Sequence, residues 1–205
     1  MTIDVQNILE SILESLNRID YIRPEDVPGI DLYMDQVTTF MDRELATSKR
    51  YEEDKILTKT MINNYAKNNL LPPPVKKKYS KEHMLMLIFI YYFKNLLSFH
   101  DIEHLFKPLI GEHFDEPGGL SLEDIYREVF SMEKDQMERL KSDVTDKFQK
   151  SQETFSKAAK EDRDYLQLFS FISMLSYDVY VKRLLIEKMI DSFKSVASRE
   201  EKGKA

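Results

Sequence analysis

Ten consecutive apolar residues, Met84 to Phe93, lie in the middle of a 205-residue chain. A helix built on them is apolar on every face, so the rest of the fold has to surround it. The run is too short to cross a bilayer, which takes about twenty residues, and it therefore predicts a buried core helix. A second apolar stretch, Tyr165 to Val181, is broken by Gln167, three serines and Asp178. An aspartate in mid-helix costs about 2.5–3.5 kcal/mol on insertion scales, so this stretch also predicts a soluble helix. Met1 to Glu10 carry acids and no basic residue, unlike a secretory leader. The expectation is a cytoplasmic protein with no membrane partner.

What surrounds the core run is set by composition. Five glycines and seven prolines are too few for the many turns of a β-sandwich, and the predicted fold class is all-α. With no cysteine, the chain has no disulfides, thiolate metal sites or cysteine nucleophile. So few glycines also leave no phosphate-binding glycine loop, and no Ser/His/Asp set stands out. The chain is not expected to be an enzyme.

Periodicity lays out the helices. Val5, Ile8, Leu9, Ile12, Leu13 and Leu16 form a stripe over Asp4 to Leu16. After Pro24, Pro28 and Gly29, Asp31 is the expected N-cap of a second helix with Tyr33, Met34, Val37, Phe40, Met41 and Leu45 inward. Thr47 to Asp54 predicts a loop. Thr58 caps a short helix to about Asn68 or Asn69, which Leu70, Leu71 and Pro72–Pro74 end. Ser80 opens the core helix, to about Leu96, and Ser98-x-x-Asp101 opens another over Phe99 to Phe106. Pro117, Gly118 and Gly119 mark a linker. Beyond it, Ser121-x-x-Asp124 caps a helix with Leu122, Ile125, Tyr126, Val129 and Phe130 inward. Met137, Leu140, Val144 and Phe148 repeat at three- and four-residue steps. Gln149 to Asp164 fits helix or loop. Tyr165 to Val196 is apolar on more than one face, which predicts a place at the centre of a bundle or in a dimer interface.

The net charge of −6 hides a strong asymmetry. Residues 1–54 carry 5 basic and 13 acidic groups, net −8; residues 55–107 carry 9 and 3, net +6; residues 108–205 carry 16 and 20, net −4. All nine basic residues of the middle segment are lysines. A local basic face is what phosphate binding uses, although a lysine-rich solvated surface would read the same way.

The stretch from Leu57 to Pro74 resembles the MerR family of winged helix-turn-helix regulators. The capping hydroxyl, isoleucine, tyrosine and Leu-Leu-Pro-Pro exit of that family's second DNA-binding helix match Thr58, Ile62, Tyr65 and Leu70–Pro73 in the same spacing. Tyr79-Ser80 with Phe89-Ile90, and Leu97-Ser98-Phe99 with Ile102 and Leu105, resemble its next two helices. The resemblance covers about residues 31–106. The whole chain also resembles a bacterial family of unknown function, domain-of-unknown-function family 1836. The shared segments are Tyr-Met-Asp-Gln-Val-Thr-Thr-Phe-Met from Tyr33 and Asn-Asn-Tyr…Leu-Leu-Pro-Pro-Pro…Lys-Lys-Tyr-Ser from Asn63.

The MerR-like resemblance implies double-stranded DNA as partner. Lys59, Thr60, Asn63 and Asn64 would then meet the duplex from the helix that Thr58 opens. An asparagine amide can read adenine bidentately, while Lys59, Tyr65 and Lys67 would position the backbone. Lys76, Lys77 and Lys78 would grip phosphate from the wing. Asn68 and Asn69 fit helix-surface and C-cap chemistry as well as contact. Two departures are visible: the Ala46–Leu57 connection is long for a helix-turn-helix, and the wing has lysines where the family has glycine and arginine.

His100-Asp101-Ile102-Glu103-His104 fits His-x-x-Glu-His, a zinc-binding pattern of inverted metalloproteases, with His113 a conceivable third histidine. No distal carboxylate ligand has recognisable context, and the same residues fill a capped helix of the MerR-like pattern. The expectation is no metal and no cofactor. Phe169, Phe171, Met174, Tyr177 and Tyr180 are candidates to line a pocket for an apolar small-molecule effector, a protein effector being the other option.

The sequence thus predicts an N-terminal helical arm (1–30), a MerR-like DNA-binding domain (31–116) and a helical dimerisation or effector domain (117–205). The expected function is sequence-specific transcription regulation as a homodimer. The alternative is a helical adaptor that binds a protein partner and keeps the fold without DNA binding.

Overall fold

A computed structural model describes residues 5–16, 21–114 and 119–203. Pro117 and Gly118 of the expected linker, and Asp4 of the first helix, lie outside them. The described chain is mostly helical, with one two-stranded sheet. No helix among the described residues is long and apolar enough to cross a membrane. Contacts divide the chain into two compact units, one of 21–131 with 186–205 and one of 1–20 with 132–185.

In the larger unit the apolar run becomes helix α4, Lys81–Phe93. His83 to Ile90 are buried without a break, and Met84, Leu85, Met86, Leu87, Ile88 and Ile90 have no exposed surface. Around it pack α2 (Met34–Glu44), α3 (Lys59–Lys67), α5 (Phe99–His113) and α6 (Leu122–Ser131). Aromatic rings fill the gaps. Phe89 meets Phe106, Tyr126 and Phe130 at centroid distances of 6.2, 5.3 and 5.5 Å. The buried Tyr126 hydroxyl donates to the Ile22 carbonyl at 2.7 Å, which ties the segment before α2 to α6. The unit thus extends past 116 to Ser131, because Leu122 and Tyr126 bury completely in the same core.

Four sequence expectations change here. Asp31 caps nothing: Leu32–Tyr33 form strand β1, paired antiparallel with β2, Lys78–Tyr79, in the register Leu32↔Tyr79 and Tyr33↔Lys78. Strand alternation buries Leu32 and turns Tyr33 outward, so Tyr33 is not on the inner face of α2. The Tyr33 N–H donates instead to Gln36 Oε1 at 2.8 Å at the start of that helix. Helix α5 runs beyond Phe106, through Pro108, to His113. Proline removes one backbone bond, but Ile102, Phe106, Leu109 and Ile110 all pack on the core, and that burial holds the helix together. Val129 is exposed, at the edge of the stripe of α6 that Leu122, Tyr126 and Phe130 turn to the core.

The smaller unit contains α1 (Val5–Leu16), α7 (Glu133–Gln152) and the first part of α8 (Lys160–Gly203). Leu9, Phe148 and Phe171 form its apolar centre, with Phe148 and Phe171 edge to face at 5.4 Å. Gln149–Asp164 resolves into the end of α7, a turn and the start of α8. Buried Gln167 donates to the carbonyls of Gln152 and Thr154 at 2.6 and 3.1 Å, satisfying acceptors that the end of α7 leaves open. Lys147 bridges Asp143 on its own helix and Asp178 on α8, the latter at 2.8 Å. Helix α8 is longer than its apolar pattern. Phe169, Ile172, Tyr177, Val179 and Tyr180 along it are all more than half exposed.

Candidate nucleic-acid interface

Helix α3 starts where its cap dictates. The Thr58 hydroxyl accepts from the Met61 N–H at 3.2 Å. Ile62 and Tyr65, three apart, turn into the core, and Leu70 and Leu71 follow them at the exit. The Leu70 N–H reaches back to the Tyr65 carbonyl at 2.9 Å. Asn69 takes a left-handed φ of 60°, and the Asn68 amide donates to the Asn64 carbonyl at 2.7 Å, so this asparagine pair does C-cap work. With that inner face fixed, Lys59, Thr60, Asn63, Asn64 and Lys67 are all exposed.

Tyr65 is the exception among the expected contact residues. It is buried, its ring 6.1 Å from Phe99, and desolvation pushes its hydroxyl above the usual tyrosine range. It supports the helix from behind. Burial does the same to Tyr79. A group whose folded pKa is raised contributes stability that is complete below its unfolded pKa, about 10, and is lost as pH climbs through the folded value. Lys94, lowered by burial, works in the opposite sense. The thermal midpoint should therefore fall above pH 10, and fall less steeply in Tyr65→Phe. An identical decline in that variant would contradict a buried Tyr65 hydroxyl.

The segment expected to form a wing is a hairpin with lysines at its tip. The Lys78 N–H donates to the Val75 carbonyl at 2.9 Å, and Lys76 and Lys77 have φ of 49° and 65°. Two positive φ values in succession are what a tight two-residue hairpin asks for, and Asn-Gly is its favoured occupant. Lysine in the left-handed region costs roughly 1–2 kcal/mol per residue. Replacing Lys76-Lys77 by Asn-Gly should raise stability by about 1 kcal/mol or more, a rise of about 2–4 °C in Tm for a chain of this size. An unchanged or lower Tm would show that the tip is unstrained.

Contacts link the wing to α3 through the start of α2. The Lys78 ammonium lies 5.3 Å from the centre of the Tyr33 ring, and Asp35, two residues on, pairs with Lys59. The strand pairing and this ring contact join residues 45 to 47 positions apart, beyond the reach of any local sequence pattern. The long Ala46–Leu57 connection is fastened to the core rather than loose. Residues Ala46–Ser48 form a 3₁₀ turn, and Ile56 and Leu57 are buried. The Ser48 and Tyr91 hydroxyls are hydrogen-bonded, and Lys94 Nζ donates to the Ile56 carbonyl at 2.7 Å. One flank is an open depression of mixed charge, where Asp42, Glu52, Glu53 and Asp54 lie with Arg43, Lys49, Lys55 and Lys59 beside Thr58 and Thr60.

The other expected sites separate. Of the five candidate effector residues, Phe171 turns inward against Phe148 and Met174 is half-buried, while Phe169, Tyr177 and Tyr180 face outward. The structure does not bring these five together. His100, Glu103 and His104 do meet on α5, but His113, at its far end, is placed by the Leu120 carbonyl at 2.7 Å.

The family model described as Domain of unknown function (DUF1836) matches residues 22–129, more than half of the chain. The chain belongs to the DUF1836 family. The matched span runs from Ile22, whose carbonyl receives the Tyr126 hydroxyl, to Val129 at the end of α6, and so follows the larger unit closely. No curated protein and no solved structure matches the chain.

Proposed function

We propose that the chain is a MerR-like, sequence-specific DNA-binding transcription regulator of the bacterial cytoplasm, acting as a homodimer on a palindromic site. One observation carries the reading: a capped helix with Lys59, Thr60, Asn63, Asn64 and Lys67 outward stands beside a hairpin whose tip is Lys76-Lys77. Lysines supply phosphate neutralisation, and exposed amides supply base reading. The strained tip fits this use, since a turn that sets aside Asn-Gly for two lysines gives up stability for charge at its apex. The exposed apolar residues along α8 offer the self-association that a palindrome requires.

A second reading, a helical adaptor for a protein partner, draws on the same α8 residues, because exposed apolar surface of this extent marks interaction sites of either kind. Selection of genomic fragments with purified protein separates the two. The regulator enriches discrete sites, and Lys76/Lys77/Lys78→Ala abolishes the enrichment. No enrichment at low salt, or enrichment untouched by the triple variant, leaves the adaptor.

A further inference from the structure

Helix α5 opens at Phe99, and positions 100, 103 and 104 fall on one stripe of its first two turns. The rings of His100 and His104 stand edge to face with centroids 4.1 Å apart. One ligand atom from each of His100, Glu103 and His104 lies within 4.8 Å of the other two, and among the described residues this is the one group of three such side chains.

The hydrogen-bond pattern suits a ligand set. His104 Nδ1 lies 2.9 Å from the His100 carbonyl oxygen. A carbonyl can only accept, so Nδ1 donates to it, and Nε2 is the nitrogen left to face an ion. A backbone carbonyl holding the second ring nitrogen is also how metal-bound histidines are commonly oriented. His100 Nδ1 faces Glu103 Oε2 at 3.6 Å, and the Glu103 charge offsets the positive end of the helix dipole, which would otherwise oppose a cation. All three side chains are open enough to leave room for water ligands.

We propose that His100, Glu103 and His104 chelate one divalent transition ion of the zinc, nickel or copper class. Two imidazoles and one carboxylate favour these ions over magnesium and calcium, which take all-oxygen sets. The proposal does not rest on the DNA-binding reading. It also departs from the absence of metal that the sequence suggested, because i, i+3, i+4 spacing alone does not show that the three ligand atoms meet.

The test is equilibrium dialysis of the full chain, without an affinity tag, against Ni²⁺. One ion per chain is expected. His100→Ala and His104→Ala should each weaken binding by at least about tenfold, with circular dichroism unchanged. His113→Ala should bind as the parent does. The electron paramagnetic resonance spectrum of Cu²⁺ on the chain gives a readout independent of affinity, and two coupled imidazole nitrogens are expected. No retained ion, affinity unchanged from the parent in either His100→Ala or His104→Ala, loss of binding in His113→Ala, or coupling to fewer than two nitrogens would each overturn the proposal.

Discussion

Phe106→Ala should cost about 3–5 kcal/mol of stability, the range for removing a large aromatic from a core that cannot collapse onto the space. Phe106 is 1% exposed and meets Phe89 at 6.2 Å and Phe93 at 5.8 Å, so its ring is held from two turns of α4. Those turns are themselves fixed, because α4 is buried on every side and has no free face toward which to shift. Domains of this kind hold only about 5–15 kcal/mol in total, so the variant should sit near the edge of folding. At about 2–4 °C per kcal/mol for a chain of this length, Tm should fall by roughly 6–20 °C. Val129→Ala, exposed on the neighbouring α6, is the matched control and should stay within about 0.5 kcal/mol of the parent. Equal losses in the two variants would mean that the core does not lie between α4 and α5.

Elements set by local chemistry were legible in the residues. Thr58, Ser98 and Ser121 each accept from the backbone N–H three positions on, as their spacing indicates. The burial of α4 follows from its unbroken apolar run. The outward set on α3 follows once Ile62 and Tyr65 fix the inner face. What escaped was decided by residues far apart in sequence. Leu32–Tyr33 looks like the start of a helix until Lys78–Tyr79 arrives to pair with it. Pro108 looks like a terminator until the packing of Leu109 and Ile110 is known. The positive φ of Lys76 and Lys77 has no sequence signal, since lysine is not a residue that asks for that conformation. The apolar pattern of α8 fits a buried helix and an interface equally, and periodicity alone does not separate those two. In the described chain they are largely exposed.

The wing lysines give the second large effect. Each phosphate that a protein neutralises in B-DNA contributes about −0.9 to the slope of log K against log salt. Lys76 and Lys77 are exposed at the hairpin tip, and Lys78 is held beside them over Tyr33. If all three meet phosphate, Lys76/Lys77/Lys78→Ala should flatten the slope by about 2.7. Affinity should fall about uniformly across sequences, because phosphate contacts carry no base information. Folding is affected far less, since alanine keeps most of the left-handed cost that lysine already carries. Stability should therefore move little while binding collapses. The decisive measurement is the salt dependence of binding to a selected fragment, for the parent and the triple variant side by side. A steep parent slope that loses about 2–3 in the variant supports a wing that grips DNA backbone. Parallel slopes, with the variant still folded, would contradict it.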